Sequence, residues 1–176
     1  MNDVLWAPWR LAYVVDDDTD KVADVASSVS VLPDGDADCF LCQAVADSRN
    51  KARLVIDRTE QTIAVLNKFP YNNGHLLITP KRHISRLDLL TSDERSELFE
   101  RITFWVSRLE SSLHPDGFNV GLNLGQAAGA GLPGHLHWHI VPRWSGDVNY
   151  MTSVASTKVI PQALEALWEL ISVVRE

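Results

Sequence analysis

Runs of apolar and β-branched residues, each closed by turn-forming residues, divide the middle of the chain into short predicted strands. The clearest boundary is residues 70–74, a Pro-Tyr-Asn-Asn-Gly turn that leads directly into an apolar strand closed by Pro80. The five predicted strands are residues 54–57, 62–66, 75–79, 118–124 and 135–141.

Two further segments carry apolar residues at helical spacing. Thr91, with Glu94 three residues later, predicts a capping box at the start of the first helix. The apolar face of this helix comprises Leu98, Ile102, Trp105, Leu109 and Leu113. The pattern ends at residues 114–117, and a C-terminal helix is predicted over residues 162–174. One sheet with one long helix packed on it is the simplest assembly, which predicts an α+β fold.

The N-terminal part of the chain has a different character. An aromatic segment containing Trp6 and Trp9 is followed by an acidic, weakly periodic stretch. We therefore predict an arm and linker over residues 1–38 and a single domain over residues 39–176.

Composition restricts the possible functions. The chain has 176 residues, 45% of them apolar, and a formal net charge of −7. The apolar content excludes a wholly disordered chain, and the acidic balance argues against a protein that coats a nucleic acid polymer. No apolar run approaches the roughly 20 residues of a membrane span, and the first residues do not resemble a secretory signal. Because two cysteines are too few for a disulfide framework, we expect a reduced, cytoplasmic protein.

The most informative pattern is on the last predicted strand, where three histidines alternate with apolar residues. Side chains of a strand point alternately to its two faces, so His135, His137 and His139 are expected on one face. A loop over residues 125–134 precedes them and holds four of the nine glycines. Its backbone N–H groups are suited to phosphate oxygens, and a neutral imidazole is a competent nucleophile. The alternative is an exposed strand whose histidines have no function. Arg143 is either a phosphate contact or a surface arginine.

Residues 135–141 resemble the His-x-His-x-His-apolar-apolar signature of the histidine triad (HIT) nucleotide-binding family. Residues 72–83 resemble its Gly-His strand and Pro-x-x-His turn, and residues 117–125 and 142–150 are similar to its bacterial branch, which includes diadenosine tetraphosphate phosphorylases. The resemblance covers about residues 39–165. It implies a HIT-like fold with a five-stranded antiparallel sheet. It also implies a homodimer, with Trp105 as a candidate contact.

The resemblance also implies roles. His137 would be the nucleophile that attacks the α-phosphate of a dinucleoside polyphosphate and forms a nucleotidyl-histidine. His139 would bind a phosphate oxygen and help to protonate the leaving group. His75 would be either a further active-site histidine or a buried structural one. The expected nucleotide and phosphate contacts, including the loop glycines, are Asn67, Asn123, Gly129, Gly131, His139 and Arg143.

Several points stay open at this level. Gly131 stands where many relatives carry glutamine, so contacts from this part of the loop are expected from the backbone. The second acceptor is either water or phosphate. A phosphoramidase that cleaves nucleotide–amine bonds and a non-catalytic AMP-binding sensor are the alternative functions.

Cys39 and Cys42 have the two-residue spacing of a zinc site, but two ligands do not complete a tetrahedral shell. The pair could equally be a redox couple or two buried thiols. The resemblance implies a structural zinc ion bound by Cys39, Cys42, His83 and His135. The competing hypothesis is a catalytic metal held by the three histidines of the triad.

Overall fold

The computed structural model describes residues 30–148 and 159–174. Its strands form one antiparallel sheet in the order β1-β2-β3-β5-β4. They are β1 Val55–Arg58, β2 Thr62–Leu66, β3 Leu76–Pro80, β4 Gly117–Gly121 and β5 Trp138–Arg143. The predicted α+β fold with a five-stranded antiparallel sheet is confirmed. The predicted aromatic arm, with Trp6 and Trp9, lies outside the described residues.

Within the described residues, three α-helices cover the two faces of the sheet: α1 Phe40–Ala46, α2 Ser92–Leu113 and α3 Leu164–Ile171. The main core lies between one face of the sheet and helices α2 and α3. A smaller cluster on the other face joins α1 to alternate residues of β1 and β2. No helix within residues 30–148 or 159–174 combines the length and apolar character needed to cross a membrane.

Helix α2 begins as the sequence predicts. The Thr91 hydroxyl accepts from the N–H of Glu94, and the Glu94 carboxylate accepts from the N–H of Thr91, which completes the capping box. The buried Glu94 side chain also binds Arg82, at 2.7 Å to Nε. Since Arg82 precedes His83 in the chain, this ion pair fixes the Pro-x-x-His turn against the start of α2.

The expectation that Trp105 lies in a dimer contact is wrong. Its side chain is fully buried in the main core, and its Nε1–H donates to Asp57 Oδ2 at 3.1 Å. Arg101 binds the same carboxylate oxygen. Asp57 therefore joins β1 to α2 through two donors.

The last strand starts three residues later than predicted, at Trp138. Its ladder with β3 ends at the pair Ile78–Trp138. Beyond that pair, the N–H of Leu136 donates to Ile84 O at 2.7 Å and its carbonyl accepts from the Thr79 hydroxyl at 2.7 Å. The backbone of residues 135–137 thus binds a loop and a side chain instead of a strand. The alternation persists, because Leu136 and Ile140 lie in the main core.

Candidate active site and metal centre

The three triad histidines lie where the glycine-rich loop enters β5. His139 is in the strand, paired with Leu77 of β3 and Gly121 of β4. His137 precedes the strand, and its ring meets that of His139 edge-on at a centroid distance of 5.0 Å. His137 and His139 therefore form one site, whereas His135 turns toward the cysteines.

The tautomer of His137 is fixed by its neighbour. Nδ1 lies 2.8 Å from the carbonyl oxygen of His135, and a carbonyl can only accept a hydrogen bond. Nδ1 therefore carries the proton, and Nε2 keeps its lone pair. His137 is 7% exposed, so the ring is held in place while Nε2 is left in the form that attacks an electrophile.

A chain of hydrogen bonds sets the tautomers of His75 and His139. The backbone N–H of Tyr71 donates to His75 Nδ1 at 2.9 Å, and Asn67 Nδ2 lies 3.3 Å from the same atom. Because Nδ1 accepts, the proton of neutral His75 is on Nε2, which lies 2.9 Å from His139 Nδ1. His139 accepts there, so its own proton is on Nε2.

Nε2 of His139 is buried and has no hydrogen-bond partner among the described residues. A buried donor without a partner is costly, and at a functional site it is available to a ligand oxygen. Burial, together with the repulsion that arises when His137 and His139 are both protonated, lowers the pKa of His139 to about 4. At neutral pH, His139 is therefore an uncharged donor that points its N–H at the site.

The predicted metal ligands come together. Cys39, Cys42, His83 and His135 offer ligand atoms that all lie within 4.8 Å of one another. His135 Nδ1 is 3.4 Å from Cys39 Sγ and 3.6 Å from Cys42 Sγ, and Cys42 Sγ is 3.2 Å from His83 Nδ1. Tetrahedral zinc places sulfur and nitrogen ligands about 3.5 Å apart, so the donor set and its spacing fit zinc.

The protonation of this cluster also suits a metal. His135 Nε2–H donates to the carbonyl of Pro80 at 2.9 Å, which directs the Nδ1 lone pair at the cysteines. Burial lowers the pKa of His135 to about 4, so the ring is a neutral ligand at pH 7. Burial raises the pKa of the Cys39 thiol to about 11, so metal binding must displace its proton.

Among the residues that the structure describes, His135 is the one member of the triad in the metal cluster. This arrangement argues against a metal bound by all three triad histidines. It also links the two sites, because His135 carries the metal-facing ring and supplies the carbonyl that orients His137.

The glycine-rich loop leads directly into the segment that carries the triad histidines. Gly125 and Gly129 have φ of +77° and +84°, a region that glycine adopts without strain. A Cβ at Gly129 or Gly131 would meet nothing within 4 Å, so the loop is not crowded by the protein itself. Asn123 lies two residues after the end of β4, whose last pair in the ladder with β5 is Gly121–His139.

Comparison with known proteins agrees with this geometry. A family model for the HIT domain matches residues 48–146. An AP-4-A phosphorylase of Mycobacterium tuberculosis is 39% identical over 164 residues, which cover 91% of this chain and 77% of that protein. The chain belongs to the HIT-domain family. The sequence-based prediction of a HIT-family enzyme is thereby confirmed.

Solved structures of HIT proteins share the fold. A hypothetical histidine triad nucleotide-binding protein from Sulfolobus tokodaii superposes with a TM-score of 0.61 and 26% identity, covering 76% of this chain and 89% of that one. A zinc-bound histidine triad family protein from Mycobacterium smegmatis gives a TM-score of 0.56 and 27% identity, covering 67% and 80%.

Not every predicted contact of this HIT protein lies at the site. Arg143 ends β5, four residues beyond His139, which is about 13 Å along a strand. Its guanidinium binds Asp147, at 2.6 Å from Nε, and Asn119, at 2.7 Å from Nη1. The structure does not bring Arg143 to the histidines, because Asp147 in the turn after β5 and Asn119 of β4 bind its guanidinium. Asn67 does lie at the site, where it contacts His75.

Sequence reasoning missed several residues that shape the HIT site. Tyr71 fixes His75 through its backbone, and its ring stacks on His139 at 5.6 Å. Gly134 lies close to the ring of His83, since a Cβ at position 134 would be 3.2 Å from His83 Nε2. The Pro-Tyr turn and the glycine before the first triad histidine were the available signals. Neither signal indicates which atom the residue would contact.

Proposed function

We propose that this HIT protein is a nucleotidyl hydrolase or transferase that cleaves a dinucleoside polyphosphate at the α-phosphate through a nucleotidyl-histidine on His137. The observation that carries the proposal is the 2.8 Å bond from His137 Nδ1 to His135 O, since it leaves Nε2 as the nucleophilic nitrogen. The 39% identity to an AP-4-A phosphorylase supports the choice of diadenosine tetraphosphate as the first substrate to test.

In the first step, His137 Nε2 forms a bond to the α-phosphorus, and the bond from that phosphorus to the oxygen bridging to the β-phosphate breaks. The nucleoside polyphosphate leaves with the electron pair. The imidazole becomes a cation that still carries hydrogen on Nδ1, and the carbonyl of His135 accepts from it. This carbonyl therefore stabilises the charge that develops during the attack.

His139 supplies the donor that the reacting phosphate needs. Its Nε2–H, unpartnered within the described chain, would donate to a phosphate oxygen or to the departing bridging oxygen. Backbone N–H groups of the loop around Gly129 and Gly131 would bind the remaining oxygens, with Asn67 and Asn123 at the nucleotide. In the second step, water or phosphate attacks the same phosphorus, and Nε2 regains its lone pair.

Cys39, Cys42, His83 and His135 would hold a structural zinc ion, which supplies a closed tetrahedral crosslink when bound. With four protein ligands, such a site has no open position for substrate. In this proposal the zinc site fixes the segment before β5. The carbonyl of His135 then keeps its hydrogen bond to His137 Nδ1.

The test is turnover by the full chain with the variant His137→Asn. Loss of activity with an unchanged circular dichroism spectrum is expected, and full activity would contradict the proposal. Products formed with and without added phosphate then identify the second acceptor. ADP plus ATP from diadenosine tetraphosphate indicates phosphorolysis, whereas AMP plus ATP indicates hydrolysis.

The proposal includes a cytoplasmic homodimer. Phe99 of α2 is 73% exposed, and Val120 of the edge strand β4 is 47% exposed, so both the helix and the sheet edge offer an apolar side chain that could contact a second copy. Light scattering on the purified chain tests this part. A mass of one chain at micromolar concentration would contradict it.

A further inference from the structure

Arg58, the last residue of β1, donates hydrogen bonds to the C-terminal end of α1. This helix carries Cys42 and has Cys39 as its N-cap. Arg58 Nη1 donates to the carbonyl of Val45 at 2.9 Å, and its Nη2 donates to those of Ala44 and Asp47 at 2.7 and 2.5 Å. Its Nε donates to Asn50 Oδ1 at 2.6 Å. One guanidinium thus binds three backbone carbonyls between residues 44 and 47, at the C-terminal end of α1.

Helix α1 needs such a contact. It has seven residues, too few for a helix to be stable by itself, and its N-cap residue, Cys39, makes no side-chain capping bond. The last carbonyls of any helix lack partners within the helix. A positive charge there also interacts favourably with the helix dipole, so Arg58 satisfies and stabilises the end that would otherwise fray.

Two of the four candidate metal ligands are at the other end of the same helix. Cys39 is its N-cap, and Cys42 lies in the first turn, two residues before Ala44. Zinc tolerates deviations of only about 0.2 Å in its ligand distances, so small rotations of α1 would matter. The orientation of the helix therefore decides whether both sulfurs can reach His83 and His135.

A second contact ties the segment before Cys39 to the same helix. Arg53 Nη1 donates to Gln43 Oε1 at 3.0 Å, and Gln43 Nε2 donates to the carbonyl of Ala37 at 2.7 Å. Arg53 is also paired with the buried Asp47 carboxylate at 2.9 Å. Arginines from the β1 region thus fix both ends of the segment that holds the cysteines.

We propose that Arg58 is a positioning residue for the metal centre: by binding the carbonyls of Ala44, Val45 and Asp47, it keeps Cys39 and Cys42 where they can bind zinc. The inference rests on the zinc site of the proposed function. Arg58 acts through the helix, since the contacts described above reach the backbone of α1 and Asn50 and not the metal ligands.

The experiment measures zinc affinity of the full chain by competition with a chromophoric chelator, for the wild type and for Arg58→Gln. Removing a group that hydrogen-bonds to a metal ligand weakens binding about 10- to 100-fold, and because Arg58 binds the helix and not a ligand, a loss at the lower end, about tenfold, is expected for Arg58→Gln. Arg95→Gln is the matched control. Arg95 also donates from its guanidinium to a backbone carbonyl, that of Leu90 at 2.6 Å, but beside α2. The variant Arg95→Gln should therefore have the zinc affinity of the wild type.

A second measurement uses the metal-free protein. With α1 loosened, the buried thiols of Arg58→Gln should react with a disulfide reagent about tenfold faster than those of the wild type or Arg95→Gln. Should Arg58→Gln fail to fold, Arg58→Lys replaces it in both assays. This variant keeps the charge but loses the planar fork that reaches three carbonyls.

Wild-type zinc affinity together with wild-type thiol reactivity, in whichever Arg58 variant folds, would overturn the inference. A wild-type protein that takes up no zinc would overturn the zinc site and this inference with it. Nucleotidyl transfer at His137 would then still be judged separately, by the product assay.

Discussion

His75 Nε2 lies 2.9 Å from His139 Nδ1, and this bond decides which nitrogen of His139 carries its proton. The backbone of Tyr71 already occupies the other nitrogen of His75 at 2.9 Å, so the direction of the bond is fixed. In the proposed reaction, His75 would therefore act through His139. It would be a positioning residue that makes His139 Nε2 a donor.

Replacing His75 with asparagine should therefore impair chemistry more than binding. We expect kcat to fall about 10- to 100-fold with little change in KM, because His139 loses the partner that fixes its tautomer. His114→Asn is the matched control, since His114 caps α2 in a left-handed conformation that asparagine accepts. Steady-state kinetics of both variants provide the measurement. Equal kinetics for His75→Asn and His114→Asn would refute the positioning role.

The low pKa of His139, about 4 against an ordinary 6.5, makes stability depend on pH. Between these values the unfolded chain binds a proton that the folded protein does not, so acid favours unfolding. The contribution is complete above pH 6.5 and is lost as the pH falls through 4. It is worth about 1–2 kcal/mol after allowance for partial exposure of the ring.

Urea unfolding at pH 7 and pH 4.5 tests this dependence. The wild type should lose more stability between the two pH values than His139→Gln, by about 1–2 kcal/mol. His135 also has a lowered pKa, but it is present in both proteins and cancels in the comparison. An identical pH dependence in the two proteins would show that His139 is not held neutral by the fold.

Metal content distinguishes the two metal hypotheses. Cys39→Ser should lose bound zinc, because it removes one of four ligands, whereas His137→Asn should retain one zinc per chain. Elemental analysis after dialysis measures both. Loss of zinc from His137→Asn with retention in Cys39→Ser would instead indicate a metal bound by the triad.

Asp57 should be a charged residue of the core that does not tolerate replacement. Its carboxylate accepts from Trp105 Nε1 at 3.1 Å and from Arg101, and the residue is 6% exposed. Asp57→Ala leaves a buried indole N–H and a guanidinium without this partner, which should cost about 3–5 kcal/mol in the free energy of unfolding.

Asp88→Ala is the comparison for Asp57→Ala in chemical denaturation. Asp88 pairs with Arg86 on the surface, with both side chains more than 60% exposed, and such pairs contribute about 0–1 kcal/mol. A loss below 1 kcal/mol for Asp57→Ala would mean that Trp105 and Arg101 find other partners.

Local patterns predicted much of this molecule. The capping box of Thr91 and Glu94 involves residues three apart, and the alternation that buries Leu136 and Ile140 is a property of the strand itself. Both are set by neighbours in sequence. Spacing indicated Cys39 and Cys42 as half of a zinc site, whereas the predicted ligands His83 and His135 were added through resemblance alone, since His135 lies 93 to 96 residues from the cysteines.

Contacts between distant segments were not predictable. Nothing in the sequence pairs His75 with His139, or Arg58 with the end of α1, because each contact depends on how whole elements pack. Arg143 is a further example. Its position just after the triad left open whether it contacts phosphate or is a surface arginine, and the structure pairs its guanidinium with Asp147 and Asn119. The start of β5 was misplaced because Thr79 supplies a side-chain bond where a strand would supply backbone.

The role of His137 as nucleophile is tested most directly by detecting the covalent nucleotidyl-histidine. Diadenosine tetraphosphate is mixed with excess enzyme, the reaction is stopped in alkali, where a phosphorus–nitrogen bond to histidine survives, and the peptides are analysed by mass spectrometry. If His137 is the nucleophile, one adenylyl group is expected on the peptide that contains His137, and none is expected in the variant His137→Asn. An adduct on His135 or His139, or unimpaired turnover by His137→Asn, would contradict this role.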